Sequence, residues 1–153
     1  SGFLLLEGGF SEAERQGQKL GFHCDKGVSR KNQNVLLGRA GEAYAKIYLE
    51  RKGYQILAAN YRCQFGEIDL IAEESHELVF IEVKSRTGSA YGRGLESITT
   101  RKKHHILRTA WYYLEQLHQS HRPFRFDALE ISFDYDGNPV KAELIQNAFV
   151  FDS

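Results

Sequence analysis

Asp69, Glu82 and Lys84 are the residues of this chain whose types and spacing suit them best to chemistry. Glu82 and Lys84 interrupt an apolar run, Leu78-Val79-Phe80-Ile81-Glu82-Val83-Lys84-Ser85-Arg86. There even an unpaired neutral polar group costs about 2–7 kcal/mol. An earlier segment, Gly66-Glu67-Ile68-Asp69-Leu70-Ile71-Ala72, carries Glu67 and Asp69 at alternate positions. Read as antiparallel strands turning at Ser75-His76, the two segments set Asp69 opposite Glu82 and Glu67 opposite Lys84, all four on one face. Facing carboxylates repel, and a divalent cation relieves the repulsion by taking oxygens from both. Mg2+, or Mn2+, is the expected ion. Such an ion lowers the pKa of a bound water and polarises a phosphoryl oxygen. The Lys84 ammonium beside it can position or deprotonate the attacking water, or stabilise charge growing on the phosphate. Acid pair, lysine and metal together point to phosphodiester hydrolysis.

The plain alternative is a ladder of ion pairs, Glu67 with Lys84 and Asp69 with Arg86, on a solvent-facing edge where such pairs contribute little. Spacing alone leaves both readings open. Glu42 tips the balance. Gly38, Gly41, Glu42, Ala45 and Leu49 form one narrow helical stripe, and small residues let a helix backbone approach a sheet closely. Glu42 is therefore directed into a packed junction rather than into water.

The elements that must position these groups follow from periodicity. Leu37, Ala40, Tyr44 and Tyr48 recur at helical spacing up to Lys52-Gly53, a helix closed by a glycine. Strands are predicted over 54–61, over 66–72 with Ile68, Leu70 and Ala72 on one face, and over 78–86. In the last, Leu78, Phe80, Glu82 and Lys84 share one face and Val79, Ile81 and Val83 the other. Thr99 or Thr100 caps a second helix whose stripe is Ile106, Leu107, Ala110, Tyr113, Leu114 and Leu117. Strands over 124–133 and 142–151 follow, separated by the turn Asp134-Tyr135-Asp136-Gly137-Asn138-Pro139. The order αβββαββ implies an α/β sandwich: a mixed sheet with a helix on each face, residues 34–153. Residues 1–33, rich in Gly, Ser and charge without a sustained period, are expected to be a flexible or weakly helical arm.

The 153 residues fit one globular domain, and their 20 basic and 20 acidic side chains balance, so global charge points to no polyanionic partner. Local charge does. Lys84, Arg86, Arg93, Arg101, Lys102, Lys103 and Arg108 are opposed only by Glu96 between positions 84 and 108. Arg86, Arg93, Arg101 and Lys102 are the expected contacts to a DNA backbone. A run of this kind also suits a solvated helix face. Cys24 and Cys63 have neither disulfide nor zinc spacing. His118-x-x-His121 stands at a predicted helix end and reads as surface, and Trp111, Tyr112 and Tyr113 read as packing rather than base-stacking groups. The apolar runs fall far short of the ~20 residues of a membrane helix, and a cytoplasmic protein is the expectation.

Several of these segments resemble the YraN-like proteins of bacteria. The resemblance rests on Gly38-Arg39-Ala40-Gly41-Glu42, Asn60-Tyr61-Arg62, Gly66-Glu67-Ile68-Asp69-Leu70-Ile71, Val79-Phe80-Ile81-Glu82-Val83-Lys84-Ser85-Arg86 and Arg125-Phe126-Asp127. It continues through Tyr91-Gly92, Glu96, Ile98 and Lys102. It implies the restriction-endonuclease-like fold, whose signature is an Asp, a spacer and Glu-x-Lys; Asp69 and Glu82-Val83-Lys84 match it in order. It further implies metal-binding roles for Asp69 and Glu82, a catalytic lysine at Lys84, and Glu42 as a helix acid supporting the metal site. Nucleases of this fold often act as dimers so that both strands are reached, so a homodimer is consistent with the resemblance. The rival reading from another class is a nucleic-acid-binding module that does not cut and acts with a partner protein.

Overall fold

The computed structural model describes residues 4–8, 30–88, 98–149 and 151. Among them the chain forms six strands, β1 (Leu4–Gly8), β2 (Gln55–Cys63), β3 (Gly66–Glu74), β4 (Glu77–Thr87), β5 (Phe124–Phe133) and β6 (Pro139–Gln146). Two helices accompany them, α1 (Arg30–Arg51) and α2 (Thr100–Gln116). The sheet order is β1-β6-β5-β4-β3-β2, with β4 parallel to β5 and every other pair antiparallel. A parallel pair needs a crossover, and α2 lies between β4 and β5 in the chain.

Two apolar cores flank the sheet. Ala40, Tyr44, Ala45, Tyr48 and Leu49 of α1 pack on Leu70, Ala72, Val79, Ile81 and Leu129. Ile106, Ala110 and Leu114 of α2 pack on Ile71, Leu78, Phe80 and Phe126. The strand alternation of β4 thus holds: its Val79, Ile81, Val83 side meets α1, and its Leu78, Phe80 side meets α2. This is the expected α/β sandwich. Gly53, at φ 94°, closes α1, and the Tyr54 N–H returns to Leu49 O at 2.9 Å in the manner of a Schellman cap.

Three expectations are corrected. Leu4–Gly8, expected in a flexible or weakly helical arm, is an edge strand on β6, where Leu5 pairs with Ile145 and Leu6 with Leu144. Edge pairing needs no internal period, only a partner with free backbone groups. Residues 9–29 lie outside the described set, while α1 already begins at Arg30. The last strand ends at Gln146 rather than reaching residue 151: Asn147 takes φ 53°, and Phe149 and Phe151 turn into the α2-side core. Ile68 does not share a face with Leu70 and Ala72; it packs on the α2 side, they on the α1 side.

That last change has a local cause. Ala59↔Leu70 and Tyr61↔Ile68 are paired, but Ala59 and Leu70 serve the α1 core and Tyr61 and Ile68 the α2 core. The switch falls at Asn60, whose φ of 52° is left-handed backbone that Asn tolerates better than most residues. Asp69 is therefore at the bend of the β2–β3 hairpin.

At the other end of the sheet, Arg125 locks the elements together. Its guanidinium meets Asp127 at 3.1 Å, Glu77 at 2.8 Å, Glu74 at 2.9 Å and the Tyr54 hydroxyl at 3.0 Å. Tyr54 donates to Asp127 at 2.8 Å and accepts from Gln146 Nε2 at 2.8 Å. Burial works against the charge on Arg125, but the hydrogen bonds to Asp127 and Glu77 outweigh it and hold the group firmly protonated. Among the described residues no helix is long and apolar enough to cross a membrane.

Candidate active site

The β3–β4 turn is Ser75-His76, with φ 50° and 66°, the pair of left-handed residues that a two-residue hairpin favours. From it the ladder runs Glu74↔Glu77 to Leu70↔Ile81 and stops. Beyond that point β4 stays with β5, out to Thr87↔Phe133. β3 and β4 separate, and the Val83 N–H that would have met β3 backbone donates instead to Asp69 Oδ2 at 2.9 Å. Continued by one step, the register sets Asp69 opposite Glu82 as expected. The expected Glu67–Lys84 pairing is not made, because the strands have parted there.

The ion-pair ladder is absent as well. Glu67 meets Arg62, with Arg62 Nε 3.3 Å from Oε2, and Arg86 Nε is 3.2 Å from Glu130 Oε1. Asp69 and Glu82 instead share a pocket of about 210 Å³ with Gly66, Glu67, Lys102, His105 and Ile106. Glu82 is 6% exposed. Burial, then the charge of Glu82, push the Asp69 carboxyl up to about 7, and Glu42 adds to the effect. The Val83 N–H works in the opposite direction but does not prevail. Burial and like charge together oppose ionisation of both members of this pair at once.

Two ammonium groups converge on Glu82. Lys84 Nζ is 3.7 Å from Glu82 Oε1, and Lys102 Nζ hydrogen-bonds the same oxygen. Burial and the Lys102 charge lower the Lys84 pKa, and Glu82 and Asp69 offset this only in part. Burial works against Lys102 too, but its bond to Glu82 and the Glu82 charge raise its pKa overall. Of two lysines at one carboxylate, Lys84 is the readier to give up a proton.

Glu42 approaches from α1. Its Oε2 accepts from Asn60 Nδ2 at 3.1 Å, and it lines a second cavity with Leu37, Gly38, Val83 and Ser85. The close approach of α1 to β4 is real at Gly41, where an added Cβ would stand 1.7 Å from Ser85 Oγ and 3.0 Å from Ser85 Cβ. At Gly38 it is not needed, since nothing lies within 4 Å.

Of the expected DNA contacts, Arg101 is exposed at the start of α2, Arg86 turns to the buried Glu130, and Lys102 enters the acid pocket. Arg93, with Tyr91, Gly92 and Glu96, lies outside the described residues. Sequence reading gave no separate role to Asn60 or Glu130. An Asn in mid-strand was the available signal for the first. For the second, Asp and Glu inside the otherwise apolar Phe124–Phe133 run was the signal.

As placed, no three Asp, Glu, His or Cys side chains converge into a metal cluster among the described residues. The donor set nevertheless fits Mg2+ or Mn2+, which commonly take one or two carboxylates and leave the remaining positions to water and substrate phosphate. Asp69 and Glu82 are that pair.

The family model for the uncharacterised protein family UPF0102 matches residues 41–131. A UPF0102 protein of Pelotomaculum thermopropionicum is 45% identical over 114 residues, 74% of this chain and 95% of the relative. One from Clostridium acetobutylicum is 40% identical over 116 residues, covering 76% and 95%, and one from Syntrophus aciditrophicus 39% over 122, covering 80% and 94%. The chain belongs to the UPF0102 family. The YraN-like resemblance is thereby established. The UPF0102 match spans Glu42, Asn60, Asp69, Glu82, Lys84, Lys102 and Glu130, the whole of the acid pocket and its surroundings. Being uncharacterised, the family brings no activity with it, and the chemistry must be argued from the site.

Proposed function

We propose that this UPF0102 protein is a divalent-metal-dependent nuclease that hydrolyses phosphodiester bonds of DNA. One observation carries the reading: a carboxylate pair at the parting of two strands, Glu82 buried and Asp69 half-buried, with Asp69 pushed up to about 7 and Lys84 3.7 Å from Glu82. Asp69 and Glu82 would hold the ion, which when bound supplies Lewis acidity and a more acidic water. Glu42, fixed by Asn60, adds negative charge behind Asp69 and raises the demand for a cation. Lys84, its pKa lowered first by burial, is suited to take a proton from water or to stabilise charge on the phosphate. Arg101, exposed in the first turn of α2 next to Lys102 in sequence, would receive backbone phosphate.

The test is a cleavage assay on single-stranded, duplex, flap and four-way-junction DNA with Mg2+, Mn2+ or chelator, run beside Asp69→Ala and Lys84→Ala. Ion-dependent cutting by the wild type that both variants lose is the expected result. Full activity in Lys84→Ala would remove the lysine from the mechanism. Ion-independent cutting would remove the metal from the mechanism, and no cutting on any substrate would remove the nuclease.

A further inference from the structure

Arg101, Lys102 and Lys103 fill the first turn of α2, which contains no acid. That is the wrong sign for a helix start, where unpaired N–H groups and the macrodipole favour anions. Thr99 is the N-cap, its Oγ1 accepting from the Lys102 N–H at 3.1 Å. Lys102 thus stands where a capping box carries Glu or Gln. Sequences tend to break a local rule where side chains serve a site, and here the site is visible: Lys102 Nζ reaches across to Glu82 Oε1 inside the acid pocket.

We propose that Lys102 is a tethered cation that holds Glu82 in the ion-free protein, is displaced when a divalent ion takes that oxygen, and then turns to the substrate phosphate. The inference rests on the metal-site reading above. An ammonium bonded to Glu82 Oε1 and a divalent ion on the same oxygen compete for one charge. The ion gains Asp69 as well, so it wins once its concentration is sufficient. Lys84 is less suited to this part. It is two residues from Glu82 on the same strand, 30% exposed, whereas Lys102 comes from a separate element, α2, and its side chain is 42% exposed. Displacement leaves Lys84 beside Glu82 and frees a second cation, with the exposed Arg101, in the first turn of α2, where phosphate is favoured.

Mn2+ binding to the full chain, measured by titration calorimetry or electron paramagnetic resonance, tests this in wild type, Lys102→Met, Lys102→Gln, Glu82→Gln and the Lys102→Met/Glu82→Gln double variant. Two different Lys102 substitutions keep the result independent of a folding defect in either. The expected result is about tenfold tighter Mn2+ binding on loss of the ammonium, as for one charge-assisted hydrogen bond. No such gain is expected when Glu82 is already Gln. Adding Ca2+ should raise affinity for a duplex oligonucleotide less in Lys102→Met than in wild type. Equal Mn2+ affinity in wild type and both Lys102 variants would overturn the proposal while leaving an Asp69–Glu82 ion site standing. An equal Ca2+ effect would overturn the transfer to phosphate. Absence of Mn2+ binding from every protein would remove the metal-site reading, and the proposal with it.

Discussion

Asp69→Asn should make the ion-free protein more stable while abolishing metal-dependent cleavage. The substitution keeps the shape of the side chain. Its oxygen can still accept from the Val83 N–H, and its amide can donate to Glu82. What it removes is a charge that the site resists. Asp69 moves from 3.8 to about 7 on folding, first by burial and then by the charge of Glu82. At about 1.4 kcal/mol per tenfold change in proton affinity, that is an upper bound of about 4 kcal/mol. Asp69 is at a pocket mouth where water screens part of the repulsion, so about 2 kcal/mol is the expected gain. The sign depends on pH. A carboxyl raised on folding is neutral in both states below its unfolded value and costs nothing there. Between 3.8 and about 7 the folded state holds a proton the unfolded state has released, so stability falls as pH rises, and above that window the loss is complete. Urea unfolding of wild type and Asp69→Asn across that range, in chelator, should show curves that converge in acid and diverge towards neutrality. Equal stability at about pH 8, or a difference that does not vary with pH, would refute the account of Asp69 as a carboxyl that burial and Glu82 hold above its ordinary value.

Other perturbations read other parts of the structure. Gly41→Ala drives a Cβ into Ser85 and should destabilise by about 1–3 kcal/mol; combining it with Ser85→Ala, which removes the nearest atom, should recover part of that loss in a double-mutant cycle by chemical denaturation. Arg125→Leu strands Asp127, which is 0% exposed, together with Glu74 and Glu77, and should cost about 3–5 kcal/mol in the same assay. Asn60→Val forces a β-branched residue to φ 52° at about 1–3 kcal/mol. Asn60→Gly accepts the backbone but loses the bond to Glu42, so it should fold and bind Mn2+ with altered affinity; unchanged affinity would show that Asn60 acts on the backbone alone.

The fold was legible where a pattern is carried within one element. β4 announces both its faces, Val79-Ile81-Val83 towards α1 and Leu78-Phe80 towards α2, because alternation is a property of the strand itself. Ser75-His76 and Gly53 likewise mark their turns through the backbone conformations they adopt. β1 was not legible, since Leu4-Leu5-Leu6 becomes a strand only through the free edge of β6, more than 130 residues away in the chain. The side of Ile68 was lost for a related reason: alternation assumes a regular strand, and the bend that breaks it belongs to Asn60 on the neighbouring strand.

In the site, Asp69 and Glu82 were legible because charge inside an apolar strand demands an explanation, and the hairpin register set them face to face. Lys102 was not placed, for it belongs by sequence to a basic run that reads as a DNA-binding surface. The missing step is the rule that run violates. Arg101, Lys102 and Lys103 stand where a helix start favours carboxylates, with Thr99 before them in the position of an N-cap. A solvated helix face has no reason to concentrate its cations in that turn, whereas an acid pocket next to it has. Where several like charges oppose the helix dipole at a capped N-terminus, the opposite charge should be sought on another element, and here it is Glu82.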